Sequence, residues 1–130
     1  MDNNKMGSKK TVLAIDDNEM QLGLFQKILF SKYDIRTVNS ASSALAYLNS
    51  DKANIILLDI EMPNISGFDF LFDIRKIPSY MDVPIIIVSG NSSQDFLAKA
   101  RSSSAADVLT KPVKKETLIE TIEKALAKKG

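Results

Sequence analysis

The sequence contains no histidine and no cysteine. Without cysteine there can be no disulfides, thiolate metal sites or cysteine nucleophiles. Without histidine there is no Ser-His-Asp triad, and both the commonest general base and the commonest zinc ligand are missing. Chemistry must therefore rest on carboxylates, lysine, hydroxyls or a hard cation, and any phosphohistidine intermediate must belong to a partner. A marked excess of positive or negative residues is also absent. The 17 basic and 16 acidic residues leave a formal charge of +1, so electrostatics alone points to no direct contact with nucleic acid or a membrane. No apolar run approaches the roughly 20 residues that span a bilayer. The opening MDNNKMGSKK has no signal-peptide core, and the expected location is the cytoplasm. No internal repeat, low-complexity run or domain linker is visible.

The 130 residues, 45% hydrophobic and 25% charged, suit one globular domain with a single core. Residues 1–10 are polar and read as a flexible tail ahead of a domain over 11–129. The most informative stretch is NIILLDIEMPNISG, residues 54–67. Its apolar run 55–58 is short and β-branched or bulky, which reads as a strand buried on both faces of a parallel sheet. It ends on Asp59, with Pro63 and Gly67 marking the loop beyond.

The same pattern recurs along the chain. Strands are expected at 11–15, 33–38, 84–88 and 108–109. Helical spacing joins Leu22, Phe25, Ile28 and Leu29, then Ala41, Ala44, Leu45 and Leu48. Phe68, Leu71 and Phe72 mark a third helix, which ends before Pro78. Ser92 and Asp95 resemble a capping box for a fourth helix carrying Phe96, Leu97 and Ala100. Leu118, Ile119, Ile122, Ala125 and Leu126 line a fifth, with a solvated charged face opposite. Five strands alternating with five helices predict an α/β fold, a doubly wound parallel sheet covered on both faces. Right-handed crossovers leave only a few strand orders.

In a parallel sheet the carboxyl ends of the strands share one edge, where open α/β sheets place their chemistry. That edge gathers Asp16 and Asp17 from the first strand, Asp59 from the third, Ser89 from the fourth and Lys111 from the fifth. Three carboxylates so close raise one another's pKa unless cations offset them. Mg²⁺, which favours one or two protein carboxylates with waters and phosphate oxygens, meets that need. Lys111 adds a point charge for a phosphoryl oxygen or a carboxylate. The set describes a Mg²⁺-dependent phosphoryl site, with Asp59 the candidate to form an aspartyl phosphate.

The acidic pair Asp16-Asp17, the strand ending in Asp59 before M-P-x-x-x-G, Ser89 after P-I-I-I-V, and Lys111-Pro112 occur in this order. On these motifs the chain, beyond its tail, resembles the receiver domain of two-component response regulators. The resemblance implies a flavodoxin-like (βα)5 sandwich with strand order 2-1-3-4-5. It implies that Asp59 takes a phosphoryl group from the phosphohistidine of a sensor histidine kinase or histidine phosphotransfer protein. The conformational signal would pass to a downstream protein or effector domain. The domain would be a signalling phosphoacceptor rather than an enzyme, one that promotes its own phosphorylation and dephosphorylation. Asp17 would bind Mg²⁺ directly, Asp16 mostly through water, Asp59 through a side-chain oxygen and Glu61 through its backbone carbonyl. Ser89 would be the switch hydroxyl and Lys111 the partner of a phosphoryl oxygen. Pro112 would follow a cis bond, which before proline costs only about 1 kcal/mol.

The Glu61 side chain is expected to face water. Val108 departs from the family, which commonly carries Tyr or Phe three residues before the lysine, and this bears on output rather than phosphoryl chemistry. With no effector segment after Lys129, the chain reads either as a single-domain regulator or as a receiver from something longer. Two other readings stand beside this one. Asp59-Ile60-Glu61 resembles the D-x-D core of haloacid-dehalogenase-like phosphatases, and a receiver that has lost phosphorylation would be a binding module.

Overall fold

The computed structural model describes residues 9–63 and 65–129. Most of the expected tail, residues 1–8, lies outside the described residues. Lys10 already belongs to the sheet edge, its carbonyl accepting from the Asp34 amide at 2.9 Å.

The strands are β1 (Thr11–Ile15), β2 (Asp34–Val38), β3 (Ile55–Asp59), β4 (Ile85–Ser89) and β5 (Asp107–Thr110). The helices are α1 (Glu19–Leu29), α2 (Ala41–Ser50), α3 (Gly67–Arg75), α4 (Gln94–Ser102) and α5 (Lys115–Lys129), and a 3-10 turn at Pro78–Tyr80 precedes β4. All pairings are parallel, in the order β2-β1-β3-β4-β5.

Chain direction across the sheet reverses after β2, and crossovers of one hand therefore put helices on both faces. Leu13, Ile15, Ile56, Leu58, Ile85 and Ile87 meet α2, α3 and α4 through Ala44, Leu48, Phe70, Leu71, Ile74 and Ala100. Val12, Ala14, Ile55, Leu57, Ile86 and Val88 meet α1 and α5 through Leu22, Phe25, Leu29, Leu118 and Ile122. Residues of β1, β3 and β4 are buried on both faces, which is why those strands read as continuous apolar runs. The edge strands β2 and β5 are only partly covered.

Three packing details differ from the sequence reading. In α3, Phe70 and Ile74 join Leu71 in the core, while Phe72 is 63% exposed with the Lys76 ammonium over its ring. The α4 cap is Ser93 rather than Ser92, its hydroxyl accepting from the Phe96 amide. Leu45 likewise stands at the surface. Arg75, unremarked in the sequence, ties the end of α3 to the carbonyls of Tyr80, Val83 and Ser104 at 2.9, 2.6 and 2.8 Å.

Gly67 opens α3 against the backbone beyond Asp59. A Cβ there would fall on the Ile60 carbonyl oxygen and within 2.6 Å of the Ile60 Cα. Gly67→Ala should cost about 2–3 kcal/mol in urea denaturation, because backbone rather than a flexible side chain must yield. Gly23, inside α1 with nothing within 4 Å of the equivalent position, should show the opposite sign. Gly23→Ala is expected to stabilise by about 1 kcal/mol. Equal effects at the two positions would count against this packing.

Candidate functional site at the carboxyl edge of the sheet

Register assembles the site. Ile15 pairs with Leu58, which sets Asp16 beside Asp59. Asp59 pairs with Val88, so Ser89 comes one step on, and Ser89 pairs with Thr110, the residue before Lys111. The ladder continues into the loops, with the Lys111 amide donating to the Ser89 carbonyl at 2.8 Å. The Lys111–Pro112 bond is cis. The four strand ends thus deliver all five candidate residues to one place.

Asp16 and Asp59 are buried, and Asp17 is exposed. Carboxylate oxygens of these three lie within 4.8 Å of one another. The Lys111 ammonium sits 3.1 Å from Asp16 Oδ2 and 3.5 Å from Asp59 Oδ2. The remaining oxygens take backbone donors: the Asn18 amide bonds Asp16 Oδ1 at 2.9 Å, and the Glu61 amide bonds Asp59 Oδ1 at 3.0 Å. Asn18 also caps α1 through the Met20 and Gln21 amides, so a single residue anchors both the helix and the acid.

Burial pushes the Asp59 carboxyl up to about 6. The Glu61 amide opposes this, the Asp16 charge adds to it, and Lys111 again opposes it. Burial pulls the Lys111 ammonium down, but its bonds and attraction to Asp16 and Asp59 outweigh that and leave its pKa raised. One ammonium faces three carboxylates. Hard oxygen donors, two buried and one open to solvent beside a cleft of about 340 Å³ between Asn39, Ser40, Met62 and Pro63, fit a divalent cation such as Mg²⁺.

The hydroxyl of Ser89, a fully buried residue, lies at the same edge. It donates to Glu61 Oε1 at 2.8 Å and accepts from the Asn91 amide at 3.0 Å. The Gly90 amide reaches the same Glu61 oxygen at 3.1 Å. The Glu61 side chain is thus engaged at the site rather than simply facing water. Nothing in the sequence signalled this, since an acid in an exposed loop looks alike whether or not it finds donors. The capping role of Asn18 went unremarked in the sequence, although a polar residue just before an apolar-periodic helix is the signal that would find it.

Because the folded Asp59 titrates above an unfolded aspartate, it adds stability below pH 4 that is lost as pH rises through about 6. In EDTA, Asp59→Asn should therefore be more stable than the native protein at pH 8, by about 2–3 kcal/mol. The advantage should shrink as pH falls from 6 to 4. Urea titrations across that range check this, and a difference independent of pH would contradict it.

The response regulator receiver domain family matches residues 12–123. Two-component response regulator ARR10 of Arabidopsis thaliana is 34% identical over 110 residues, covering 82% of this chain and 19% of that protein. The CAI-1 autoinducer sensor kinase/phosphatase CqsS of Vibrio cholerae is 30% identical over 121 residues, covering 91% and 18% respectively. The chain thus spans about a fifth of the length of these curated relatives. Among solved structures, a CheY-like receiver domain protein from Methanospirillum hungatei superposes with a TM-score of 0.85 at 27% identity, covering 94% of this chain and 97% of that one. With the sheet order, the acidic cluster and the lysine in place, the chain belongs to the response regulator receiver domains.

Proposed function

We propose that this domain accepts a phosphoryl group on Asp59 from a partner's phosphohistidine, in a reaction that depends on Mg²⁺. The observation that carries the reading is the buried Asp59 carboxylate, grouped with Asp16 and Asp17 and set 3.5 Å from the Lys111 ammonium. An Asp59 oxygen attacks phosphorus while the P–N bond of the donor breaks. The electron pair leaves with the imidazole, which takes a proton from solvent, and the product is an acyl phosphate. Asp16, Asp17, Asp59 and the Glu61 carbonyl would hold Mg²⁺, which would supply charge neutralisation for the transferring group. Lys111, already between Asp16 and Asp59, is placed to pair with a phosphoryl oxygen. Attack of water on phosphorus later returns the Asp59 carboxylate and releases phosphate, so the domain limits its own signal.

A sensor histidine kinase or a histidine phosphotransfer protein is the donor class this chemistry requires, and a cytoplasmic site of action goes with it. The receiver of the signal is a downstream protein or an attached effector domain. A haloacid-dehalogenase-like phosphatase would need Glu61 free to handle protons at Asp59. Its carboxylate instead accepts from Ser89 and Gly90.

Output is expected to start at Ser89. Its hydroxyl holds the Asn91 amide, the Asn91 side chain holds the Ser93 amide, and the Ser93 hydroxyl caps α4. Movement of Ser89 therefore reaches the start of α4 through three hydrogen bonds. Val108 is half-buried beside a groove of about 340 Å³ between α4 and β5 and is too small to fill it.

Incubation with acetyl phosphate should label the protein only with Mg²⁺ present, and the adduct should be labile to hydroxylamine. Asp59→Asn should abolish labelling, because an amide is not a nucleophile. Full labelling of that variant would remove Asp59 from its role. No sustained turnover of p-nitrophenyl phosphate is expected, and a true catalytic cycle would favour the phosphatase reading.

Amide shifts on adding Mg²⁺ and beryllofluoride should be large at Asp59, Ser89 and Asn91 and small beyond Val108 into α5. Val108→Tyr should extend them. Large shifts through α5 in the unaltered protein would show that an aromatic there is dispensable.

A further inference from the structure

The two donors at the end of β4 are already occupied by an anion of the protein's own. Glu61 Oε1 accepts from the Ser89 hydroxyl at 2.8 Å and from the Gly90 amide at 3.1 Å. A serine hydroxyl has one proton to donate, and a backbone amide likewise has one. While Glu61 holds the Ser89 proton, the hydroxyl cannot give it to another acceptor, and its oxygen is meanwhile used by the Asn91 amide. Gly90 leaves room for this approach, since even a Cβ at that position would lie 3.8 Å from the same carboxylate oxygen.

Burial sharpens the contrast between the partners. Ser89 is fully buried and has few alternatives, whereas Glu61 is exposed and can be handed back to water. An exposed carboxylate held by two donors contributes a modest, reversible stabilisation rather than a permanent lock. Val88, the residue before Ser89, pairs with Asp59, so this donor pair stands next to the proposed phosphoacceptor.

We infer that the Glu61 carboxylate is an internal stand-in for the phosphoryl group, occupying the Ser89 and Gly90 donors in the resting state and competing with the phosphoryl oxygens for them. This rests on Asp59 being the phosphoacceptor. On phosphorylation the Ser89 proton turns from Glu61 Oε1 to a phosphoryl oxygen, and Glu61 moves into solvent. No bond other than hydrogen bonds changes in this exchange. Glu61 is thus a positioning residue for Ser89, and it sets how readily the resting domain gives way to the phosphorylated one.

The test is equilibrium binding of beryllofluoride at saturating Mg²⁺ to the native protein and to Glu61→Ala, Glu61→Gln, Ser89→Ala and the Glu61→Ala/Ser89→Ala pair, with Asp59→Asn as control. Glu61→Ala keeps the backbone carbonyl, so Mg²⁺ affinity measured alone serves to correct for any change in the metal site. Beryllofluoride should bind Glu61→Ala roughly 3- to 10-fold more tightly than native protein, as expected for losing an exposed charged competitor. Glu61→Gln, neutral but still able to accept, should gain less. In the Ser89→Ala background the gain should fall to less than half on a logarithmic scale, because the contested proton is gone. In ligand-free protein the Gly90 amide resonance should move in Glu61→Ala. An unchanged affinity overturns the inference. An undiminished gain without Ser89 overturns it too, since that would be simple charge repulsion. If no variant shows binding that depends on Asp59, the phosphoacceptor reading itself fails, and the role assigned to Glu61 falls with it.

Discussion

Lys111 holds two buried carboxylates at once, 3.1 Å from Asp16 and 3.5 Å from Asp59. Taking such ions out of water costs several kcal/mol each, and stripping one partner from a buried pair leaves a charge that the fold cannot solvate. The ammonium comes from the far edge of the sheet, 95 residues from Asp16 and 52 from Asp59 along the chain. The charge balance therefore exists only when β1, β3, β4 and β5 are assembled in register. Desolvation raises the Asp59 carboxyl, and one ammonium against three acids leaves negative charge for a divalent cation to offset.

The sheet delivers these groups from the ends of its ladder: Asp59 and Ser89 close paired strands, Asp16 and Lys111 lie one step beyond and Asp17 two. The helices that follow the first four strands open alike. Asn18, Ser40, Ser66 and Ser93 each use a side chain to satisfy amides that open a helix.

Ser89 joins two parts of this edge. Buried, with one proton to give and one amide to receive, it links Glu61 on one side to Asn91 and the start of α4 on the other. Next to that route, Phe68 of α3 and Phe96 of α4 lie with ring centroids 5.8 Å apart, and the Lys99 ammonium stands over Phe68 at 4.7 Å. The face between α3 and α4 is thus built from aromatic contacts, while the α4–β5 groove has only the small Val108 beside it.

The strands, their alternation with helices and the acids at strand ends were legible because each is a local pattern. Residues 55–58 are apolar without a break since β3 is covered on both faces, and Asp59 stands out as the polar residue that stops the run. Periodicity left several strand orders open. The motif resemblance implied 2-1-3-4-5, and only the paired register decided it. Helix phase was less secure. Phe68, Leu71 and Phe72 share a helical spacing as good as that of Phe70, Leu71 and Ile74, and docking on the sheet chose the second set. Ser92 and Ser93 are chemically alike, and the path of the loop after β4 gave the cap to Ser93. The Glu61 contact had no local signature at all. Its donors lie 28 and 29 residues away on another strand end, so only tertiary structure could bring a loop carboxylate to the hydroxyl and amide that hold it.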